Sequence, residues 1–151
     1  MASEELYNYI KVNDEIITSG QPTAEQLASL GTEGFSTVIN LATFDPGRSP
    51  ANEAELIRAQ GIAYYHIPVD WNKPQEADFA TFERTMAQRP AGKTLIHCAA
   101  NFRVTAFYSL YAQKHFGWSA AQAEEFRAAI WKGSDYPVWR EFIARVGSRG
   151  T

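Results

Sequence analysis

Lys93-Thr94-Leu95-Ile96-His97-Cys98-Ala99-Ala100-Asn101-Phe102-Arg103-Val104-Thr105 is the stretch whose reading decides the fold. A short apolar run ends at His97 and delivers Cys98, the only cysteine of the chain, onto a tight turn; a helical period begins at Arg103. The pattern is strand, anion-binding loop, helix. Successive backbone N–H groups wrapped into such a loop, backed by a helix N-terminus, make a seat for an oxyanion. The same positive field favours a thiolate, which makes Cys98 a candidate nucleophile. Arg103 returns to the cysteine after four intervening residues. Its planar fork can clamp two oxygens of a tetrahedral anion, which lysine cannot imitate. A buried strand-end cysteine followed by a surface arginine would give the same bare spacing. His97 before the cysteine, the Thr105 hydroxyl beyond the arginine, and the strand and helix patterns on either side favour the site.

Through these residues the loop resembles the signature loop of the cysteine-dependent phosphatases, the protein tyrosine and dual-specificity superfamily. It departs from that signature in having four rather than five residues between cysteine and arginine, and Asn101 where the signature has glycine. Asparagine tolerates positive φ better than other non-glycine residues, so the turn is expected to survive. In length the loop equally resembles that of rhodanese-type sulfurtransferases. Taken with Thr18-Ser19-Gly20-Gln21-Pro22 and Val38-Ile39-Asn40-Leu41, it is similar to the small bacterial phosphatase-like family also found fused to β-lactamase-like hydrolases. Relatives of that kind often carry arginine straight after the Asn-Leu pair. Here Ala42 stands there, and Arg48 is either its replacement or a solvated loop charge.

A chain of 151 residues, 45% hydrophobic and 13% aromatic, supports one domain with a substantial core. A net charge of -3 gives no basic excess, so neither nucleic acid nor an anionic membrane surface is expected as partner. One cysteine rules out an internal disulfide and a Cys-x-x-Cys pair, and three scattered histidines do not suggest a metal site. No cofactor or metal is expected. The acidic start Met1-Ala2-Ser3-Glu4-Glu5 has no apolar run and no later stretch reaches spanning length, which reads as a cytoplasmic protein. Oligomeric state is left open.

Residues 5–12 suggest a partial strand or a short helix, and 15–18 a strand broken by Ser19-Gly20-Gln21-Pro22. Thr23 with Gln26 forms a capping-box pattern for a helix carrying Leu27 and Leu30 and ending at Gly34. A β-branched run over 36–41 predicts a buried strand. After a turn at Asp45-Pro46-Gly47, Ser49-Pro50 predicts a helix to Gln60 stopped by Gly61, then a strand over 62–69. The proline-bounded loop Pro68-Val69-Asp70-Trp71-Asn72-Lys73-Pro74 follows, and at the carboxyl end of its strand it can share a face with the Cys98 loop. Asp70 is the candidate general acid, or a turn aspartate bonded to backbone N–H groups. Asp78 is second choice; it reads as the N-cap of a helix presenting Phe79, Phe82 and Met86. Three helical patterns follow the central loop: Val104, Phe107, Tyr108 and Tyr111; a Ser119/Gln122-capped helix with Ala123, Phe126 and Ile130; and Trp139, Phe142, Ile143 and Val146.

Strands alternating with helices, then helices alone, predict an α/β sandwich with a mostly parallel sheet of about four or five strands and helices on both faces. The resemblance implies the dual-specificity phosphatase-like fold. It implies attack by Cys98 on a phosphate monoester, a cysteinyl-phosphate intermediate, and substrate oxygens held by Arg103 and by the loop residues Ala99, Ala100, Asn101 and Phe102. His97 is expected to orient the loop through hydrogen bonds, and Thr105 to steady the departing thiolate. The partner would be a phosphorylated protein or small molecule. Two other readings stay open: a sulfurtransferase carrying a persulfide on Cys98, and a phosphate- or protein-binding module without turnover.

Overall fold

The β-branched and apolar runs pair into one five-stranded sheet of order β1-β2-β5-β3-β4. The structure, a computed structural model, describes residues 3–45, 47, 49–132 and 136–149. The strands are β1 (Ile10–Lys11), β2 (Ile16–Ser19), β3 (Phe35–Asn40), β4 (Ala63–His66) and β5 (Lys93–His97). β1 lies antiparallel on the edge against β2, and the other pairings are parallel. The helices are α1 (Ala24–Ala28), α2 (Glu53–Arg58), α3 (Glu76–Gln88), α4 (Phe102–Phe116), α5 (Ala120–Ala128) and α6 (Pro137–Arg149).

Parallel strands need crossovers, and the crossovers supply the layers. Neighbouring apolar residues on each strand point to opposite faces: Ile17, Val38 and Leu95 pack with Leu27, Leu30 and Ile57 of the α1 and α2 side. Ile16, Ile39 and Ile96 pack with Phe79, Phe82, Phe107, Trp139 and Phe142 from α3, α4 and α6. Each such side chain removed from water contributes about 1.5–3 kcal/mol. This explains the near-continuous apolar runs of the central strands, which are covered on both sides.

The register sets the site. Ser19 and Asn40 both lie level with His97, so β2, β3 and β5 end together. Their exits, Gly20, Leu41 and Cys98, therefore meet at the carboxyl edge in the middle of the sheet.

Several local expectations are corrected. α2 begins at Glu53 behind Asn52, not at Ser49-Pro50. Ser49 instead closes the preceding loop: its N–H donates to the Asp45 carbonyl (2.7 Å) and its hydroxyl accepts from the Asp45 N–H (3.0 Å). Side chain–backbone bonds of this kind compete with helix initiation. Asp78 is not an N-cap; that place is taken by Gln75, and Asp78 sits inside the first turn of α3. β4 stops at His66, but the chain stays docked, Ile67 and Val69 donating to the carbonyls of Asn40 (2.8 Å) and Leu41 (3.0 Å). The segment 5–12 carries the short strand β1, and a 3-10 turn over Ser3–Glu5 precedes it. Arg48 lies outside the described residues.

Candidate active site

Cys98 leaves β5 fully buried, its N–H directed to the Ser19 carbonyl at 3.3 Å. Asn101 takes the left-handed turn, φ 69°, and α4 opens at the next residue. Asparagine thus fills the place of a glycine, as its tolerance of that region allows. The loop carbonyls are tied to neighbours: Ala99 O accepts from Gln21 N (2.9 Å), Ala100 O from Asn8 Nδ2 (2.9 Å), and Asn101 O from Thr105 N (3.1 Å). The Asn101 side chain donates to Asn8 O (2.8 Å) and Thr18 Oγ1 (3.0 Å). Among the described residues, none of the backbone N–H groups from Ala99 to Val104 donates a hydrogen bond. A run of unpaired N–H groups at the start of a helix is an anion seat.

Gly20 shows why the Thr18-Ser19-Gly20-Gln21-Pro22 stretch belongs to this seat. A Cβ there would stand 2.6 Å from the Ala99 carbonyl oxygen and 2.6 Å from Tyr7 Cδ2. Only a glycine lets the strand exit run this close under the loop. A cleft of about 350 Å³ lined by Tyr7, Gln21, Pro22, Thr23 and Ala99 flanks the loop on this side.

Arg103, in the first turn of α4, is 8% exposed. Its Nη1 donates to the Val69 carbonyl at 2.9 Å, and among the described residues no carboxylate lies within ion-pair distance of it. A buried cation without a counter-charge is costly unless an anion joins it. The same bond docks the Pro68–Pro74 loop beside Cys98 and Arg103, which brings the loop of Asp70 to the seat. The Asp70 side chain is exposed and its Oδ1 accepts from Asn72 N (2.9 Å), a turn within its own loop. Asp78 is half-buried on α3, where burial pushes its carboxyl above the usual range against a backbone bond from Gln75.

His97 is fully buried. Its Nε2 meets Glu53 Oε2 at 2.8 Å and its Nδ1 lies 3.3 Å from the Cys98 carbonyl. Glu53, at the start of α2, is 5% exposed and also accepts from Gln21 Nε2 (2.9 Å), Asn40 Nδ2 (3.1 Å) and the Tyr64 hydroxyl (3.0 Å). Burial works to raise its carboxyl, but the bonds and charge of His97, with those of Gln21 and Tyr64, outweigh it and hold Glu53 below the ordinary glutamate range. Thr105 does not face the thiol. Its hydroxyl donates to the carbonyls of Asn101 (2.9 Å) and Phe102 (3.0 Å) and accepts from Trp131 Nε1 (2.9 Å). Its part is to close the first turn of α4 behind the loop. Trp131 also stacks on Phe102, rings 5.1 Å apart and 3° from parallel, in an aromatic wall with Trp71 and Trp139.

Sequence reading missed Glu53, Asn8 and Trp131. Glu53 stands among other acids of a helix and carries no local signal. What could have flagged it is the polar Asn40 and His97 at the ends of buried strands, which demand partners. Among the described residues no three His, Cys, Asp or Glu side chains are grouped to hold a metal ion, and no helix is long and apolar enough to cross a membrane.

No family model matches the chain. Over 104 residues, 67% of this chain, it is 31% identical to a β-lactamase hydrolase-like protein of Xylella fastidiosa, and it spans about a quarter of that relative (24%). A candidate phosphatase (DUF442) from Shewanella putrefaciens superposes with a TM-score of 0.85 at 28% identity, over 97% of this chain and 92% of that one. The core catalytic domain of the PP-IP phosphatase SIW14 of S. cerevisiae superposes at a TM-score of 0.72 and 17% identity, over 92% of this chain and 85% of that one, a likeness of fold alone. The fold is the α/β sandwich of the protein tyrosine and dual-specificity phosphatases. With that fold the chain resembles the DUF442 candidate phosphatase along its length and β-lactamase hydrolase-like proteins over about a quarter of theirs.

Proposed function

We propose that the chain is a cysteine-dependent phosphatase acting on a phosphate monoester of a protein or small molecule. One observation carries the reading: among the described residues, a buried guanidinium with no carboxylate partner and a run of backbone N–H groups without protein acceptors follow the same buried thiol in one loop. Together they neutralise the equatorial oxygens, where phosphoryl transfer needs its stabilisation. The Cys98 thiolate attacks phosphorus and the bond to the leaving oxygen breaks. Asp70 gives that oxygen a proton, and the carboxylate so formed takes one from the water that attacks the cysteinyl phosphate. Inorganic phosphate leaves and the thiolate returns.

Support for Asp70 is positional: its neighbour Val69 is the residue that holds Arg103, and its carboxyl is exposed in that same loop. Asp78 lies on a helix and has no comparable link to the loop.

The test is a paired assay on one preparation: release of phosphate from an aryl phosphate, and transfer of sulfur from thiosulfate to cyanide, each against Cys98→Ser. Phosphate release lost in Cys98→Ser is the expected result. Cys98-dependent thiocyanate without phosphate release assigns the loop to sulfur transfer, and silence in both assays assigns it to binding.

A further inference from the structure

We propose that Glu53 is the positioning residue of the reactive loop, acting through His97; the proposal rests on the phosphatase reading of Cys98 only for its turnover assay. The residues that meet on this one carboxylate come from all four parallel strands or their exits. Gln21 follows β2, Asn40 ends β3, Tyr64 lies on β4 and His97 ends β5. Of these only His97 is bonded in sequence to Cys98. An ionised carboxylate only accepts, so its 2.8 Å contact with Nε2 requires a proton on that nitrogen and fixes the orientation of the ring. Nδ1 then faces the main chain of Cys98, 3.3 Å from its carbonyl. Since, among the described residues, the loop amides from Ala99 to Val104 spend no hydrogen bonds on protein, their direction is set by how the peptide after Cys98 is oriented. Glu53 is thus one step removed from the thiol, in the way an outer carboxylate sets the imidazole of a catalytic pair.

The presence of a single cysteine gives a readout that does not depend on turnover: alkylation of Cys98 by iodoacetate, followed by intact mass. Glu53→Gln keeps the shape of the side chain and removes its charge. We expect alkylation and kcat for an aryl phosphate to fall by about tenfold or more, with KM within about threefold, because Arg103 and its bond to Val69 are untouched. His97→Asn should give a loss of the same order. The double variant should be no slower than the slower single one, since both changes cut one path. A Glu53→Gln protein that is alkylated at the wild-type rate or faster, or losses that multiply in the double variant, overturns the proposal. A KM that rises in step with the fall in kcat does the same, as it marks a general loosening of the seat. If Glu53→Gln does not fold, ¹⁵N-histidine spectra of the wild-type protein decide: a protected Nε2–H on His97 is required, and an Nε2 without its proton overturns it. Absence of phosphate release by the wild-type protein counts against the phosphatase reading and leaves the alkylation series to judge Glu53.

Discussion

Replacing Arg103 by methionine separates what the site costs from what it does. The guanidinium is 8% exposed, bonded to one carbonyl, and unpaired with any carboxylate among the described residues. Desolvating such an ion costs several kcal/mol even after relaxation. Against this, Arg103→Met loses the bond to Val69 and leaves that buried carbonyl without a partner, about 1–3 kcal/mol. The two effects leave the variant at least as stable as wild type in phosphate-free buffer, by on the order of 1 kcal/mol. Phosphate reverses the order. At a hundred times its Kd it stabilises the wild-type protein by about 2.7 kcal/mol. For a domain of this size that raises Tm by roughly 5–10 °C, while Arg103→Met should not respond. The assay is thermal unfolding of both proteins across a phosphate titration at constant ionic strength. Equal responses to phosphate, or a variant several degrees less stable without it, would refute the idea that Arg103 is held for an anion at the expense of stability.

Three further expectations follow from the same geometry. Asp70→Asn should slow esters with poor leaving groups at least about tenfold more than an activated aryl ester, since only the former need a proton from the enzyme; equal slowing, or the selective loss appearing in Asp78→Asn instead, moves the acid elsewhere. Gly20→Ala places a methyl 2.6 Å from the Ala99 carbonyl, so the loop must shift. Destabilisation of about 1–3 kcal/mol by chemical denaturation is expected, with a fall in kcat, and an unchanged protein would show that the approach is looser than described. Glu53 sits below the ordinary glutamate value of 4.5 in the folded protein, so its ionisation contributes stability above that pH and loses it as pH falls through the folded value. The stability difference between wild type and Glu53→Gln should therefore shrink as the pH is lowered below about 4.5; a difference that stays constant there removes the ionised Glu53 from the account.

Much of this molecule is written locally. Apolar β-branched runs, the two capping boxes at Thr23 and Ser119, and the glycines at positions 34 and 117 mark its elements because each depends on neighbours within a few residues. The Cys98 turn is legible for the same reason, since strand, Asn101 and helix start lie in one stretch of ten or so residues. Where a local signal has a local competitor, the sequence misleads: Ser49 looks like a helix cap and closes a loop instead. The Thr105 hydroxyl, expected to steady the departing thiolate, donates to carbonyls of its own first helical turn. What tertiary structure alone decides is which distant polar groups share a buried position. Gln21, Glu53, Tyr64 and His97 are spread over most of the chain and come together only because parallel strands end at one level and buried polar atoms must find partners there. The lack of a carboxylate beside Arg103 among the described residues is a property of the same kind: the sequence determines that a guanidinium follows the loop, and packing determines that it is buried against the Val69 carbonyl.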